Sequence, residues 1–136
     1  MAYPTTTGGY KSLIATRDGA GGYTDRWTLG VGPNMEAFIY TDGFKVITSN
    51  SVLPVNTWTN IAVTRSGTDL RIFINGTQSG STGTNSQNFT HTALGVGASS
   101  SGLEAFTGYI DEVRITKGVP RYISNYTAPL TQFQDA

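Results

Sequence analysis

Short runs in which apolar and polar residues alternate recur along the whole chain, and no window shows a sustained helical period. Alternation with a period of two is typical of strands that bury one face. Runs separated by turn clusters favour an antiparallel sandwich or barrel. The predicted strands are Ser12–Thr16, Trp27–Val31, Glu36–Tyr40, Phe44–Ser49, Thr57–Ser66, Asp69–Ile74, Ala93–Val96 and Tyr109–Thr116.

Turn residues separate the predicted strands at positions where hairpins need them. Asp42-Gly43 and Asn75-Gly76 combine residues that tolerate a positive φ, which tight hairpins require. The stretch from Arg65 to Asp69 joins two further strands as a hairpin of moderate length. The pattern therefore predicts antiparallel neighbours along the chain.

The alternation also identifies the faces that we expect to be buried. Leu70, Ile72 and Ile74 lie on one side of their strand. Ile61 and Val63 share one side of the preceding strand, so both rows are expected to face the opposite sheet. The predicted inter-sheet core comprises Trp58, Ile61, Val63, Leu70, Ile72, Ile74, Val113 and Ile115.

The apolar residues of the last predicted strand do not all lie on one face. Tyr109, Val113 and Ile115 share one side of it, but Ile110 is out of phase with them. Either Ile110 packs on the second face of the sheet, or a β-bulge near Asp111-Glu112 resets the register. The bulge is the favoured interpretation.

Charge and composition narrow the range of partners. The chain has 136 residues, with nine basic and nine acidic side chains scattered singly, so its formal net charge is zero. It therefore lacks the basic stripe that binds nucleic acid or an anionic membrane surface. No apolar run approaches the ~20 residues of a membrane span. Cysteine is absent, which excludes disulfides and cysteine-based sites. We expect one domain with neither a nucleic-acid nor a membrane partner.

Three motifs follow one another along the chain, Trp58–Arg65, Leu70–Gly76 and Gly108–Ile115. Together they resemble the laminin G-like, concanavalin A-like domains, in the version found in bacteriophage structural proteins. A tail similar to Thr116–Tyr122, followed by an aromatic residue and a proline, often closes such domains. The resemblance extends from Leu13 to Phe133.

The resemblance implies an all-β fold, a jelly-roll β-sandwich of two antiparallel sheets. It divides the chain into an N-terminal arm over residues 1–11, the sandwich over 12–117, and a C-terminal tail over 118–136 that packs on the sandwich. Tyr122, Tyr126 and Phe133 are expected to anchor this tail. Pro129 would discourage the tail from joining the sheet.

The beginning of the chain departs from the family pattern. Family members usually open with a strand-turn-strand unit, but here only Met1–Lys11 precede the first predicted strand. Either the sandwich is reduced, or something else fills the gap. A missing strand leaves unpaired backbone groups and an uncovered apolar face. We therefore expect self-association or binding to other virion proteins, with the arm reaching across to a neighbour. The competing expectation is that the arm seals its own edge.

Catalysis is not expected from the carboxylates of this chain. Glycoside hydrolases of this fold carry two catalytic carboxylates at alternate positions of one strand. Asp111 and Glu112 are adjacent and thus on opposite faces, while Glu36 and Glu104 have no acidic residue two positions away. His91 lies in a Thr-rich loop without a patterned nucleophile or orienting acid.

Calcium is the one cofactor that the resemblance allows. Lectin-like sandwiches often hold it in rim loops through carboxylates and carbonyls. Asp18 and Asp25 lie in a glycine-rich loop, and Asp42 lies in another. Because acidic loop residues are more often turn formers, a chain without a cofactor is the favoured expectation.

Two functions are compatible with these features. The first is a non-catalytic bacteriophage virion protein, for capsid decoration or tail assembly, that acts through protein contacts and is located in the virion. The alternative is an adhesin module that recognises host glycans, for which the candidate residues are Tyr10, Tyr23, Tyr40 and Asn34. The start at Met1 and the small size suggest a complete chain, which favours the first function.

Overall fold

The protein is described by a computed structural model that covers residues 1–17, 26–41 and 44–129. These residues form eleven strands and no helix, so none of their segments is a helix that could cross a membrane. The strands are β1 (Ala2–Pro4), β2 (Lys11–Ala15), β3 (Trp27–Val31), β4 (Glu36–Thr41), β5 (Phe44–Val52), β6 (Ile61–Ser66), β7 (Asp69–Ile74), β8 (Thr77–Gln78), β9 (Gly83–Thr84), β10 (Gly95–Val96) and β11 (Gly108–Ile110). The all-β prediction is confirmed.

The larger sheet has five antiparallel strands in the order β10-β2-β3-β4-β5. Its inner face carries a row of buried aliphatic residues because apolar positions alternate along β3 and β4. Leu29 pairs with Ile39, which in turn pairs with Ile47, and all three are buried. This face forms one wall of the hydrophobic core.

The second sheet contains β6, β7 and β8 in that order, and β9 also pairs with β7. Its inner face is formed by the buried side chains of Leu70, Ile72 and Ile74. Ile61 pairs with Ile74 and Val63 with Ile72. Ile61 and Val63 are only partly buried, because β6 lies at the edge of this sheet among the described residues.

A two-stranded ribbon of β1 and β11 extends this second sheet. Ala2 pairs with Ile110 in the ribbon, and it also exchanges two backbone hydrogen bonds with Thr59, the second residue before β6. The Ala2 N–H donates to the Thr59 carbonyl at 2.9 Å, and the Thr59 N–H donates to the Ala2 carbonyl at 2.8 Å. The start of the arm therefore pairs with its own chain, and association with a neighbouring molecule stays a prediction.

The last strand is shorter than the sequence predicts. It ends at Ile110, because Glu112 adopts a positive φ of 52° and its N–H binds the Asp111 carboxylate at 2.8 Å. The irregularity falls where a bulge was predicted, but it ends the strand instead of resetting its register. Val113 and Ile115 are consequently 43% and 53% exposed, so their assignment to the core is wrong.

Trp58 is also outside the core, with 44% of its surface exposed. The alternation explains this result, because Thr59 points inward beside Ala2 and is fully buried. Trp58 must then face outward, where its ring lies 5.4 Å from the ring of Tyr3.

The tail contacts the outer face of the second sheet through Tyr126. Its N–H donates to the Gly76 carbonyl at 2.8 Å, and its hydroxyl donates to Asn60 Oδ1 at 2.8 Å. Its ring stacks on Tyr122 at 3.6 Å and packs edge-on against Phe73, which is fully buried. Phe133, the third predicted anchor, lies outside the described residues.

The Tyr126 hydroxyl predicts how stability depends on alkaline pH. Burial, with a smaller contribution from Tyr122, raises the pKa of Tyr126 from 10.0 to about 12. The unfolded chain therefore loses this proton first, so the stabilisation is complete below pH 10 and is lost between pH 10 and 12. We expect the unfolding free energy, measured by urea denaturation, to fall more steeply in this window for the wild type than for Tyr126→Phe. Equal slopes would contradict the prediction.

Candidate functional site

A cleft of about 240 Å³ opens on the outer face of the five-stranded sheet. We name it the tyrosine cleft because two tyrosines stand at its rim. Its lining residues are Tyr10, Arg17, Thr28, Phe38, Tyr40, Lys45 and Glu104. They combine aromatic rings with charged and hydroxyl groups.

Strand register places the central side chains of the cleft in one row. Thr28 on β3 pairs with Tyr40 on β4, and Tyr40 pairs with Lys45 on β5. These positions alternate with the inward-facing Leu29 and Ile39, so their side chains share the outer face. The sheet therefore fixes their spacing.

A glycine allows the aromatic part of the cleft to lie close to the sheet. Gly30 pairs with Phe38, and a Cβ atom on Gly30 would stand only 2.5 Å from Phe38 Cζ. Tyr10 packs edge-on against Phe38 with ring centroids 5.9 Å apart. Phe38 is 4% exposed but Tyr10 is 52% exposed, so the tyrosine offers its ring to a ligand.

Lys45 lies over both of these rings. Its Nζ is 4.8 Å from the centroid of Tyr10 and 4.9 Å from that of Phe38, within the range of cation–π attraction. The same ammonium is 3.3 Å from Glu36 Oε1. The charge of Lys45 is therefore balanced by a neighbouring carboxylate.

An ion pair forms the polar side of the cleft. Arg17 Nη1 lies 3.0 Å from Glu104 Oε1, and the Ser12 hydroxyl donates to Glu104 Oε2 at 3.1 Å. The guanidinium also lies 5.4 Å from the centroid of Tyr40. The side chains of Arg17 and Glu104 are both partly exposed at the cleft.

Thr28 places a buried hydroxyl in the cleft. The residue is 1% exposed, and its Oγ1 has no hydrogen-bond partner among the described residues. Buried polar atoms nearly always have a partner, so an exception needs an explanation. A hydroxyl can both donate and accept, and this one lines the site where a polar ligand would bind.

Glu104 has a backbone conformation that is unusual for its residue type. Its φ is 53°, in the left-handed region that side chains with a Cβ adopt at a cost. Such residues cluster at binding and active sites, where surrounding contacts hold them in place. Here Ser12 and Arg17 hold the carboxylate, and the Ser12 N–H donates to the Glu104 carbonyl at 2.7 Å.

Two of the predicted glycan-binding residues, Tyr10 and Tyr40, line this cleft together. Asn34 lies in the turn between β3 and β4, where its N–H donates to Glu36 Oε2, and it does not line the cleft. Tyr23 lies outside the described residues. Sequence reasoning missed Arg17, Thr28, Phe38, Lys45 and Glu104 as parts of the site. The sequence offers one signal for these residues: Phe38 and Tyr40 occupy alternate positions of the same strand.

The structure describes none of the predicted calcium ligands. Asp18, Asp25 and Asp42 all lie outside the described residues, so calcium binding stays a prediction. Within residues 1–17, 26–41 and 44–129, no three His, Asp or Glu side chains come together as a metal site.

A comparison with known protein families identifies the family of this domain. The family model of the concanavalin A-like lectin/glucanases superfamily matches residues 2–120. The chain belongs to this superfamily. Searches of the curated proteins and of the solved structures each found no match. The matched range contains all eleven strands and every residue of the tyrosine cleft, so the cleft is part of the concanavalin A-like domain itself.

The conformation of Glu104 predicts an inverted order of stability between two substitutions. Glu104→Ala and Glu104→Gly both remove the carboxylate, but only glycine adopts this φ without a Cβ penalty. We expect Glu104→Gly to be the more stable by about 1 kcal/mol in urea denaturation. Glu36 lies on strand β4, so Glu36→Ala should be more stable than Glu36→Gly. The same order at both positions would contradict the prediction.

Proposed function

We propose that the protein is a non-catalytic domain that binds carbohydrate in the tyrosine cleft. The observation that supports this most directly is that one exposed and one partly exposed tyrosine meet hydrogen-bonding groups in one small cleft. Tyr10 and Tyr40 offer rings for the C–H faces of a sugar. Arg17, Glu104 and the Thr28 hydroxyl offer partners for its hydroxyl groups.

The size and charge of the cleft indicate what kind of sugar it would take. Its volume of about 240 Å³ is below the ~300–1,000 Å³ of typical small-molecule pockets, which favours a single sugar unit at a chain end or branch. The two cations among the described residues of the cleft have carboxylate partners, Arg17 with Glu104 and Lys45 with Glu36. A neutral sugar is therefore favoured over an acidic one.

The absence of catalysis is part of this proposal. Glycoside hydrolysis uses two carboxylic groups on either side of the scissile bond. Among the described residues that line the cleft, only Glu104 carries a carboxylate, and it is bound to Arg17 and Ser12. This arrangement suits recognition of a sugar better than its cleavage.

Substitution of Tyr40 tests the carbohydrate proposal. A glycan array would identify a ligand, whose affinity is then measured by calorimetry. We expect Tyr40→Ala to weaken binding about five- to thirtyfold, because losing a ring contact removes roughly 1–2 kcal/mol. Tyr109→Ala is the matched control, since Tyr109 is 64% exposed and lies outside the cleft. Equal affinity of the Tyr40 variant and the wild type would contradict the proposal, as would an array without binding.

A second candidate function is a structural role in a bacteriophage virion, through protein contacts. The observation that favours it is the open edge of β6, beside which Val113 and Ile115 remain exposed. Monomeric proteins seldom leave such edges uncovered, whereas subunits of an assembly meet a neighbour there.

Labelling of phage particles tests the virion proposal. An antibody raised against the purified protein should label particles of the phage that carries its gene, because an assembled subunit remains on the washed particle. If the lysate contains the protein but the washed particles bind no antibody, this role is contradicted. Particles washed in high salt serve as a control for electrostatic adsorption.

A further inference from the structure

A second and larger cavity, of about 770 Å³, lies between the two sheets and opens beside β6. One of its sides is formed by residues 61–65 of β6, and another by residues 112–116 after β11. We name the space between these two segments the strand slot. It shares no lining residue with the tyrosine cleft.

The strand slot continues the line of β1. This strand lies between β11 on one side and Thr59 on the other. At its start, the Asp111 N–H donates to the Met1 carbonyl at 3.0 Å. A strand that continued both pairings beyond Met1 would enter the space between β6 and residues 112–116. The register of β1 thus marks a place for one more strand, antiparallel to β6.

Backbone groups of β6 point into this place. Successive residues of an antiparallel strand direct their N–H and C=O groups to opposite sides. The Asn60 carbonyl accepts from Asn75 on the β7 side, whereas Thr59 bonds to Ala2 on the other side. Ile61, Val63 and Arg65 therefore direct their backbone groups toward the slot. None of these groups has a hydrogen-bond partner on that side among the described residues.

Apolar side chains that line the slot are also not covered by a neighbouring strand among the described residues. Ile61 and Val63 are only partly buried, although both face the core. Across the cavity lie Leu13, Leu29 and Ile39 of the five-stranded sheet. A strand in the slot would place every second side chain beside Ile61 and Val63, and each apolar side chain buried there adds to the affinity.

The charges around the slot determine which kind of strand it would attract. Its lining includes four basic side chains, Arg65, Arg114, Lys117 and Arg121, and one acidic side chain, Glu112. The whole chain has a formal net charge of zero, so this basic excess is local. An acidic segment would be attracted to the slot and a basic segment repelled.

We propose that the strand slot binds an extended segment of another protein in which Val or Ile alternates with Asp or Glu. The segment pairs antiparallel to β6, as in recognition by strand addition. Its apolar residues lie directly opposite Ile61 and Val63, and its acidic residues are attracted by the basic side chains of the lining. At ~3.3 Å per residue, a segment of five residues spans the length of β6 that lines the slot. This inference does not rest on carbohydrate binding.

The direct test uses a synthetic peptide of seven residues, in which Val and Ile alternate with Glu and Asp, titrated into the full chain by calorimetry. Two N-methylated versions provide matched controls. Residues opposite Ile61 and Val63 direct their N–H groups to β6, so methylation of the apolar residues should weaken binding at least tenfold. Methylation of the acidic residues should leave binding within about threefold, because their N–H groups face residues 112–116, which form no strand.

Hydrogen exchange and one protein variant test the location. The amides of Ile61, Val63 and Arg65 should exchange at least tenfold more slowly when the peptide is bound. Val63→Pro removes an N–H that points to the slot and leaves the β6–β7 ladder intact, so this variant should fold and lose peptide binding. Tyr40→Ala should bind the peptide normally, which keeps this result separate from the carbohydrate test.

Four results would overturn the proposal. The first is equal weakening by both methylation patterns, and the second is unchanged exchange of the three amides. The third is equal affinity for a peptide in which Lys and Arg replace the acidic residues. The fourth is a dimer in sedimentation that Val63→Pro dissociates, which would show that a second copy occupies the slot.

Discussion

The paired backbone hydrogen bonds between Ala2 and Thr59 determine much of the remaining structure. They attach the ribbon of β1 and β11 to the second sheet and bury both residues. They fix the side of the sheet to which each neighbouring side chain points, so that Trp58 faces solvent while Ile61 and Val63 face the core. They also set the direction in which β1 leads toward the strand slot. Without this pair, the ribbon would have no backbone bond to the segment that leads into β6 other than the one from Asn56 to Pro4.

The outer face of the five-stranded sheet illustrates how strand register can build a binding site. The pairing of Thr28, Tyr40 and Lys45 aligns three different functional groups across three strands. Gly30 leaves the space in which Phe38 lies against the sheet, and Phe38 in turn supports Tyr10. Each cleft residue is therefore held by backbone pairing or by a neighbouring ring, and such rigid support reduces the conformational entropy that is lost on binding.

The sequence predicts the central strands well and the ends of the domain poorly. Leu70, Ile72 and Ile74 alternate strictly, and a local pattern of this kind suffices to place a strand and its buried face. Val113 and Ile115 alternate equally well, but the positive φ of Glu112 ends the strand before them. A glutamate gives no local signal for such a conformation. Tyr10 and Tyr40 could be proposed as exposed aromatics, whereas Arg17 and Glu104 meet only through tertiary contacts across 87 residues.

The position of β1 has a consequence for the order in which the chain folds. Among the eleven strands, β1 is synthesised first and its partner β11 last. Contacts of such long sequence separation form slowly, because a large loop must close before any hydrogen bond is gained. The pairing of β1 with β11 must therefore wait until all of the other strands have been synthesised, and the ribbon should be among the last parts of the domain to form.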